Sequence, residues 1–127
     1  MLQIQSLFII ALGGGLGAVL RYAMSGAVYR VMGTDFPFGT MFVNILGSLL
    51  LGFVMETAEL KTSISPLMKV FLGVGLCGGF TTFSTFSFET WRLLASGSTI
   101  PAMLNITASV LLCFVGLYLG IVFARMV

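Results

Sequence analysis

Four long apolar segments constrain the fold of this chain more than any other feature of its sequence. Each is longer than the ~20 residues that an α-helix needs to cross the hydrocarbon core of a bilayer. The connections between them are short and carry the turn and polar residues. The segments are residues 4–32, 38–60, 66–94 and 100–126. We therefore expect an all-α membrane protein with four transmembrane helices in a single domain, residues 1–127.

The composition excludes several classes of function. The chain is 58% hydrophobic with a mean hydropathy of +1.13, which leaves too little polar surface for a soluble domain. Its net charge of +2 is too small for a nucleic-acid-binding surface, so nucleic acid is not expected as a partner. With no histidine and only four carboxylates, the usual constellations for hydrolysis or metal catalysis cannot be assembled, and an enzyme is not expected.

Two further features have simple interpretations. Cys77 and Cys113 lie inside apolar segments, where cysteine more often acts as a small packing residue than as a disulfide or metal ligand. The apolar start of the chain lacks a basic region before it and continues past Arg21 into more apolar sequence. We expect it to be a retained helix and not a signal peptide.

Positive charges are divided almost evenly between the two sides of the predicted membrane domain. Four spans put both termini on one side. The terminal side carries Lys61, Lys69 and Arg125, and the opposite side carries Arg30 and Arg92, with Arg21 inside a span near that opposite side. Because orientation normally follows the Lys/Arg bias, this balance predicts dual topology and an antiparallel homodimer. A single orientation decided by one loop charge is the alternative.

The stretch 75–89 differs from ordinary membrane sequence. Its fifteen positions hold three glycines, five hydroxyl residues and four phenylalanines. Glycines can leave backbone carbonyls free, which is tolerated at membrane depth only where the carbonyls face protein, water or an ion. We therefore expect the third helix to be broken near Gly75–Gly79. The alternative is a glycine packing seam followed by a lipid-facing phenylalanine surface.

Each predicted helix also carries a stripe of small and polar residues. Thr40 and Asn44 share one face of the second helix, and Asn105 and Ser109 share one face of the fourth. Hydrogen bonds between helices explain many such residues. Amide and guanidinium groups inside hydrocarbon are costly, however, and by default mark ion pathways or binding sites. For Arg21, snorkelling to the membrane interface and a place at a pore mouth remain equally compatible with the sequence.

Phe80 and Phe83 lie three positions apart and are expected on one helical face beside hydroxyl residues. Ring edges carry the positive part of the aromatic quadrupole and can attract a small anion. Aromatic residues at helical spacing more often simply pack in a core, and spacing alone favours that interpretation.

Three patterns occur in order along the first three spans. They are Gly13-Gly14-x-x-Gly17-Ala18-x-x-Arg21-Tyr22, Gly39-Thr40-x-x-Val43-Asn44-x-x-Gly47-Ser48, and Gly78-Gly79-Phe80-Thr81-Thr82-Phe83-Ser84-Thr85-Phe86 followed by Glu89. Together they make the chain closely resemble the Fluc (CrcB) family of fluoride channels. The patterns cover most of the first three spans, whereas the fourth span is matched only by its length and its polar residues.

The resemblance implies an antiparallel, dual-topology homodimer with two pores. It implies a multi-pass protein of the cell membrane, or of the inner membrane in a Gram-negative host, that exports fluoride passively and protects a microbe from it. It also implies a structural sodium ion at the dimer centre, held by backbone carbonyls. The matching residues here are Gly75 and Gly78.

The resemblance further assigns residues to an ion pathway. It implies that Asn44 donates an amide hydrogen bond to the ion and that Phe80 and Phe83 replace lost water with their ring edges. Thr82, Ser109 and Thr40 would extend the series of donors. Arg21 would make a vestibule positive. The role of Glu89, at the end of the third span, stays open.

Two other functions are compatible with a short four-span chain. A small multidrug-type antiporter needs a membrane-embedded carboxylate, typically in the first span, and that span contains Arg21 but no Asp or Glu. A non-conducting assembly subunit would use the polar stripes as interfaces only.

Overall fold

The computed structural model describes residues 3–127, and its regular structure in that range is entirely helical. Four helical spans are long and apolar enough to cross a membrane, which confirms the expected all-α, four-span architecture. They are α1 (Ile4–Met32), α2 (Phe38–Leu60), the third span (Pro66–Ala95) and α6 (Thr99–Met126).

The third span is built from several pieces. It starts with α3 (Pro66–Lys69), continues as a π-helix (Val70–Cys77) and α4 (Gly78–Phe80), and resumes as α5 (Phe83–Ala95). Between α4 and α5 the backbone is extended, with φ −93° and ψ 159° at Thr81 and φ −153° and ψ 118° at Thr82. Gly75 lies in the π-helix, Gly78 and Gly79 lie in α4, and the two residues with extended backbone are the threonines that follow.

A side chain from another helix explains where the series of helical backbone hydrogen bonds ends. The Thr82 N–H donates to Asn44 Oδ1 at 2.7 Å and not to the Gly78 carbonyl four residues earlier. Threonine is β-branched and suits extended backbone. The Thr82 hydroxyl then accepts the N–H of Thr85 at 3.2 Å and caps the start of α5.

α1 lies against the π-helix and α4 at backbone distance. A Cβ atom added to Gly13 would come within 2.7 Å of the Phe71 carbonyl oxygen, and one added to Gly79 within 2.9 Å of Gly14 Cα. α2 and α6 approach each other in the same way through Gly52 and Gly120. Small residues allow transmembrane helices to come this close, so van der Waals contacts between backbones stabilise the bundle.

Large apolar side chains point outward over most of the surface. Phe8 is 68% exposed and Phe114 is 69% exposed, whereas the buried apolar residues include small ones such as Val43 and Ala102. This pattern suits a bundle whose solvent is hydrocarbon, because apolar side chains lose nothing by facing lipid.

Candidate functional site

A cavity of about 360 Å³ opens between α2, the middle of the third span and α6. Its wall combines polar side chains with aromatic rings. The lining residues used below are Asn44, Ser48, Cys77, Gly78, Thr81, Thr82, Phe83, Phe86, Ser109 and Cys113. Besides phenylalanine, three residues predicted for the ion pathway line this cavity. They are Asn44, Thr82 and Ser109.

Asn44 clamps the extended segment to α2. Its Oδ1 accepts the Thr82 N–H at 2.7 Å, and its Nδ2 donates to the Thr82 carbonyl at 3.0 Å. An amide nitrogen carries two hydrogens. One is used on Thr82, and the other has no partner within residues 3–127, so Asn44 keeps one donor for a molecule in the cavity.

The aromatic pair in the cavity is Phe83 and Phe86. Their ring centroids lie 5.4 Å apart at an interplanar angle of 45°, and Phe83 is 77% exposed. Phe80 is only 4% exposed, does not line the cavity, and has its ring against the backbone of Gly47.

The expectation that Phe80 and Phe83 share one helical face is therefore wrong. A rotation of 100° per residue holds only within a continuous helix, and the extended Thr81 and Thr82 separate the two rings. Sequence reasoning missed Phe86 although the signal was present, because Phe83 and Phe86 have the same spacing of three residues within α5.

Thr40 lies outside the cavity in a separate polar cluster with Tyr29 and Glu89. The hydroxyls of Tyr29 and Thr40 each donate to Glu89 Oε1 at 2.9 Å. Glu89 Oε2 is buried and has no hydrogen-bond partner in the described part of the chain. The structure thus gives Glu89 partners that the sequence could not supply, and nothing in the sequence distinguished Tyr29 as one of them.

Arg21 reaches the end of α4 from α1. Its Nε donates to the Gly79 carbonyl at 3.0 Å, close to the point where the helical ladder stops. A cation near the C-terminal end of a helix interacts favourably with the unpaired carbonyls and with the helix dipole. Arg21 therefore has a structural contact in addition to the vestibule role expected for it.

The two glycines expected to hold sodium differ in their surroundings. The Gly78 N–H donates to the carbonyls of Gly73 and Gly75, so the Gly75 oxygen is already used, and it lies on the side facing Gly14 of α1. The Gly78 carbonyl, in contrast, has lost its helical donor because Thr82 bonds to Asn44. A carbonyl oxygen has two lone pairs, so the hydrogen bond at the Gly75 oxygen does not exclude a cation there.

The fold and the cavity define a small multi-pass membrane protein with a polar and aromatic pocket inside its helical bundle. Residues 8–121 match the family described as CrcB-like protein, Camphor Resistance (CrcB), and the chain belongs to this family.

Curated relatives extend the match over nearly the whole chain. A protein of Geobacter sp. (strain M21) named fluoride-specific ion channel FluC is 46% identical over 121 residues, 95% of this chain and 98% of the relative. The protein of that name from Geobacter sulfurreducens is 48% identical over 116 residues, 91% of this chain and 94% of the relative. The one from Shewanella baltica (strain OS185) is 46% identical over 123 residues, 95% and 98% of the two chains. These names are those of channels and not of enzymes.

Proposed function

We propose that this chain is a fluoride channel that lets fluoride leave the cell passively and protects a microbe from its toxicity. The names of the relatives and the resemblance of the motifs support the substrate. The single structural observation that carries the proposal is the cavity in which the Asn44 amide meets the rings of Phe83 and Phe86.

The proposed mechanism replaces the water that fluoride loses. Asn44 donates its unused amide hydrogen to the ion, and phenylalanine ring edges offer the positive part of their quadrupole. We assign the ring role to Phe83 and Phe86, because both line the cavity, and Phe80 supports the wall behind them. The site must bind fluoride tightly enough to offset the loss of its hydration water, yet weakly enough for the ion to leave. A site with a small number of strong hydrogen-bond donors meets that requirement.

We also propose that the functional unit is an antiparallel, dual-topology homodimer with two pores. The balance of positive charges supports insertion in both orientations. The extended backbone at Thr81 and Thr82 supports a broken third helix as a feature of the pore, with irregular backbone tolerated where it lines a polar cavity.

The structural sodium ion at the dimer centre, held by the backbone carbonyls of Gly75 and Gly78, is also part of the proposal. The Gly78 carbonyl would contribute an oxygen ligand, because its hydrogen-bond donor has been diverted to Asn44. The Gly75 carbonyl accepts the Gly78 N–H and would contribute its second lone pair. When bound, the ion would supply a positive charge that attracts carbonyl oxygens from both subunits.

Flux from liposomes tests the proposed function. Purified protein in liposomes loaded with fluoride or chloride should release fluoride rapidly, release little chloride, and need no proton gradient. A fluoride electrode outside the liposomes measures the rate. A strict requirement for a proton gradient would indicate an antiporter, and no flux of either anion would indicate an assembly subunit.

A further inference from the structure

Most hydroxyl protons around the cavity are donated away from it. Ser48 donates to the Asn44 carbonyl at 2.7 Å, and Thr81 donates to the Cys77 carbonyl at 3.0 Å. A carbonyl can only accept, so the direction of these two bonds is certain. The Thr82 hydroxyl donates to Thr85 Oγ1 at 3.0 Å. None of these three hydroxyls therefore has a proton left for a molecule in the cavity.

Ser109 is different because a buried side-chain amide accepts its proton. Ser109 Oγ donates to Asn105 Oδ1 at 3.1 Å, and Asn105 Nδ2 donates to Thr90 Oγ1 at 2.9 Å. Thr90 in turn donates to the Phe86 carbonyl at 2.7 Å. Asn105 is 1% exposed, Ser109 5% and Thr90 7%, so water cannot substitute for a missing partner at low cost.

The hydrogen bonds from Ser109 through Asn105 and Thr90 to the Phe86 carbonyl form a relay in which the donor and the acceptor of every bond are fixed. The Phe86 carbonyl must accept, so the Thr90 hydroxyl is a donor there and an acceptor toward Asn105. The amide nitrogen of Asn105 therefore faces Thr90, and its oxygen faces Ser109. Both ends of this relay, Ser109 and Phe86, line the cavity.

We propose that Asn105 is a positioning residue that turns the Ser109 proton away from the cavity and so keeps Ser109 from binding a passing anion strongly. The proposal rests on the proposed fluoride channel function. A hydroxyl that donates to an anion makes a strong, charge-assisted bond. Withholding it keeps the anion site shallow, and Asn44 remains the principal side-chain donor in the cavity.

A freed Ser109 proton has two destinations. It can turn into the cavity, or it can bond to the Asn105 backbone carbonyl four residues earlier, as Ser48, Thr57 and Thr90 do on their helices. The first destination changes anion binding and the second does not. The fluoride concentration that gives half-maximal flux separates the two.

The test uses Asn105→Leu and Thr90→Val in the full-length protein, each alone and combined with Ser109→Ala. Thr90→Val preserves the shape of the side chain but removes the acceptor of the Asn105 amide, which can then rotate. This variant therefore gives a second way to obtain the same result if Asn105→Leu does not fold. Thr57→Val is the matched control, because Thr57 donates to the Phe53 carbonyl and does not line the cavity.

We expect both relay variants to lower the half-saturating fluoride concentration by about tenfold, the effect of one hydrogen bond to a charged group. Ser109→Ala should abolish that shift, and Thr57→Val should not produce one. An unchanged half-saturation in both variants, or a shift that persists with Ser109→Ala, would overturn the proposal.

A second measurement is independent of transport. Nuclear magnetic resonance of the protein in bilayers should show a slowly exchanging Ser109 hydroxyl proton close to the Asn105 side chain, and Thr90→Val should weaken that contact. A rapidly exchanging Ser109 proton would contradict the proposed relay even if the channel conducts. A wild-type protein that shows the slow proton but no fluoride flux would instead refute the proposed function.

Discussion

Asn44 combines two tasks within a single side chain. Its amide pairs with both backbone groups of Thr82, which no longer continue the helix, and it retains one hydrogen for the cavity. Backbone groups left unpaired inside a membrane protein are costly. The residue that fixes the extended segment is therefore the same residue that is proposed to contact the ion.

Replacing Asn44 separates these tasks. Asn44→Ala removes both bonds to Thr82, and we expect it to lower the free energy of unfolding by about 1–3 kcal/mol and to reduce fluoride flux at least tenfold. Asn44→Asp keeps the acceptor for the Thr82 N–H but has no amide hydrogen to donate. It should lose flux to the same extent in the liposome assay. Normal flux in Asn44→Asp would show that the amide does not contact the ion.

The phenylalanines give a second prediction for single residues. Phe83→Ile and Phe86→Ile should each reduce fluoride flux at least tenfold while the protein remains folded, because an aliphatic side chain has no quadrupole to offer an anion. Phe80→Ile should mainly lower the thermal stability, because Phe80 is buried behind the cavity wall. Flux and melting temperature are measured on the same preparations. A large loss of flux in Phe80→Ile without a change in melting temperature would restore the role first expected for Phe80.

Sequence reasoning at this scale identified residues that lie together, and their roles in conduction stay predictions. Asn44, Thr82, Phe83 and Ser109 were predicted, and the structure brings all four to one cavity. It did not work where a contact depends on the path of the backbone. The partners of Glu89 come from two other helices, α1 and α2.

Within the third span, composition located the irregular region but not its residues. Three glycines favour a break near Gly75–Gly79, yet all three are helical, with Gly75 in the π-helix, and two of them, Gly75 and Gly79, contact α1. The extended backbone falls at Thr81 and Thr82, because Asn44 of α2 takes the hydrogen bond that would have continued the helix. A tertiary contact decided the position, and local propensity does not contain that information.

The glycine contact between α1 and the third span can be tested with two alanine substitutions. Gly79→Ala places a methyl group within 2.9 Å of Gly14 Cα, so the helices must separate, and we expect a loss of about 1–3 kcal/mol in stability. Gly15→Ala is the matched control. An added Cβ meets nothing within 4 Å there, and alanine is the better helix former by about 0.5–1 kcal/mol. Thermal unfolding in detergent measures both, and equal melting temperatures would contradict the close contact.

In the whole molecule, the positive charges are nearly balanced between the two sides of the membrane domain. On the terminal side, Lys69 forms an ion pair with Glu59 and Arg125 forms one with Glu56. Acidic residues contribute little to membrane orientation, so the Lys and Arg count still governs it. The architecture of four apolar helices followed directly from hydropathy, because bilayer thickness fixes helix length. Assembly did not follow from hydropathy, since it depends on surfaces of two chains.

Because the positive charges are nearly balanced, very few charge changes should shift the membrane orientation. We expect a C-terminal tag on the wild-type chain to be accessible from both sides of the membrane. Changing Lys61 to Gln should move the population toward one orientation, and changing Arg30 to Gln should move it the other way. Protease or labelling accessibility of the tag in intact cells measures the distribution. A tag found on one side only would contradict dual topology.

The clamp between Asn44 and Thr82 also has an evolutionary consequence. Both bonds reach main-chain atoms of Thr82, so they place a demand on the identity of residue 44 and none on that of residue 82. Position 82 is constrained by its other contact, the cap that its hydroxyl forms with the Thr85 N–H. Mutational drift should therefore allow serine or asparagine at position 82, since both cap helices and neither adds a negative charge to the cavity, while position 44 tolerates no replacement without both an acceptor and a donor.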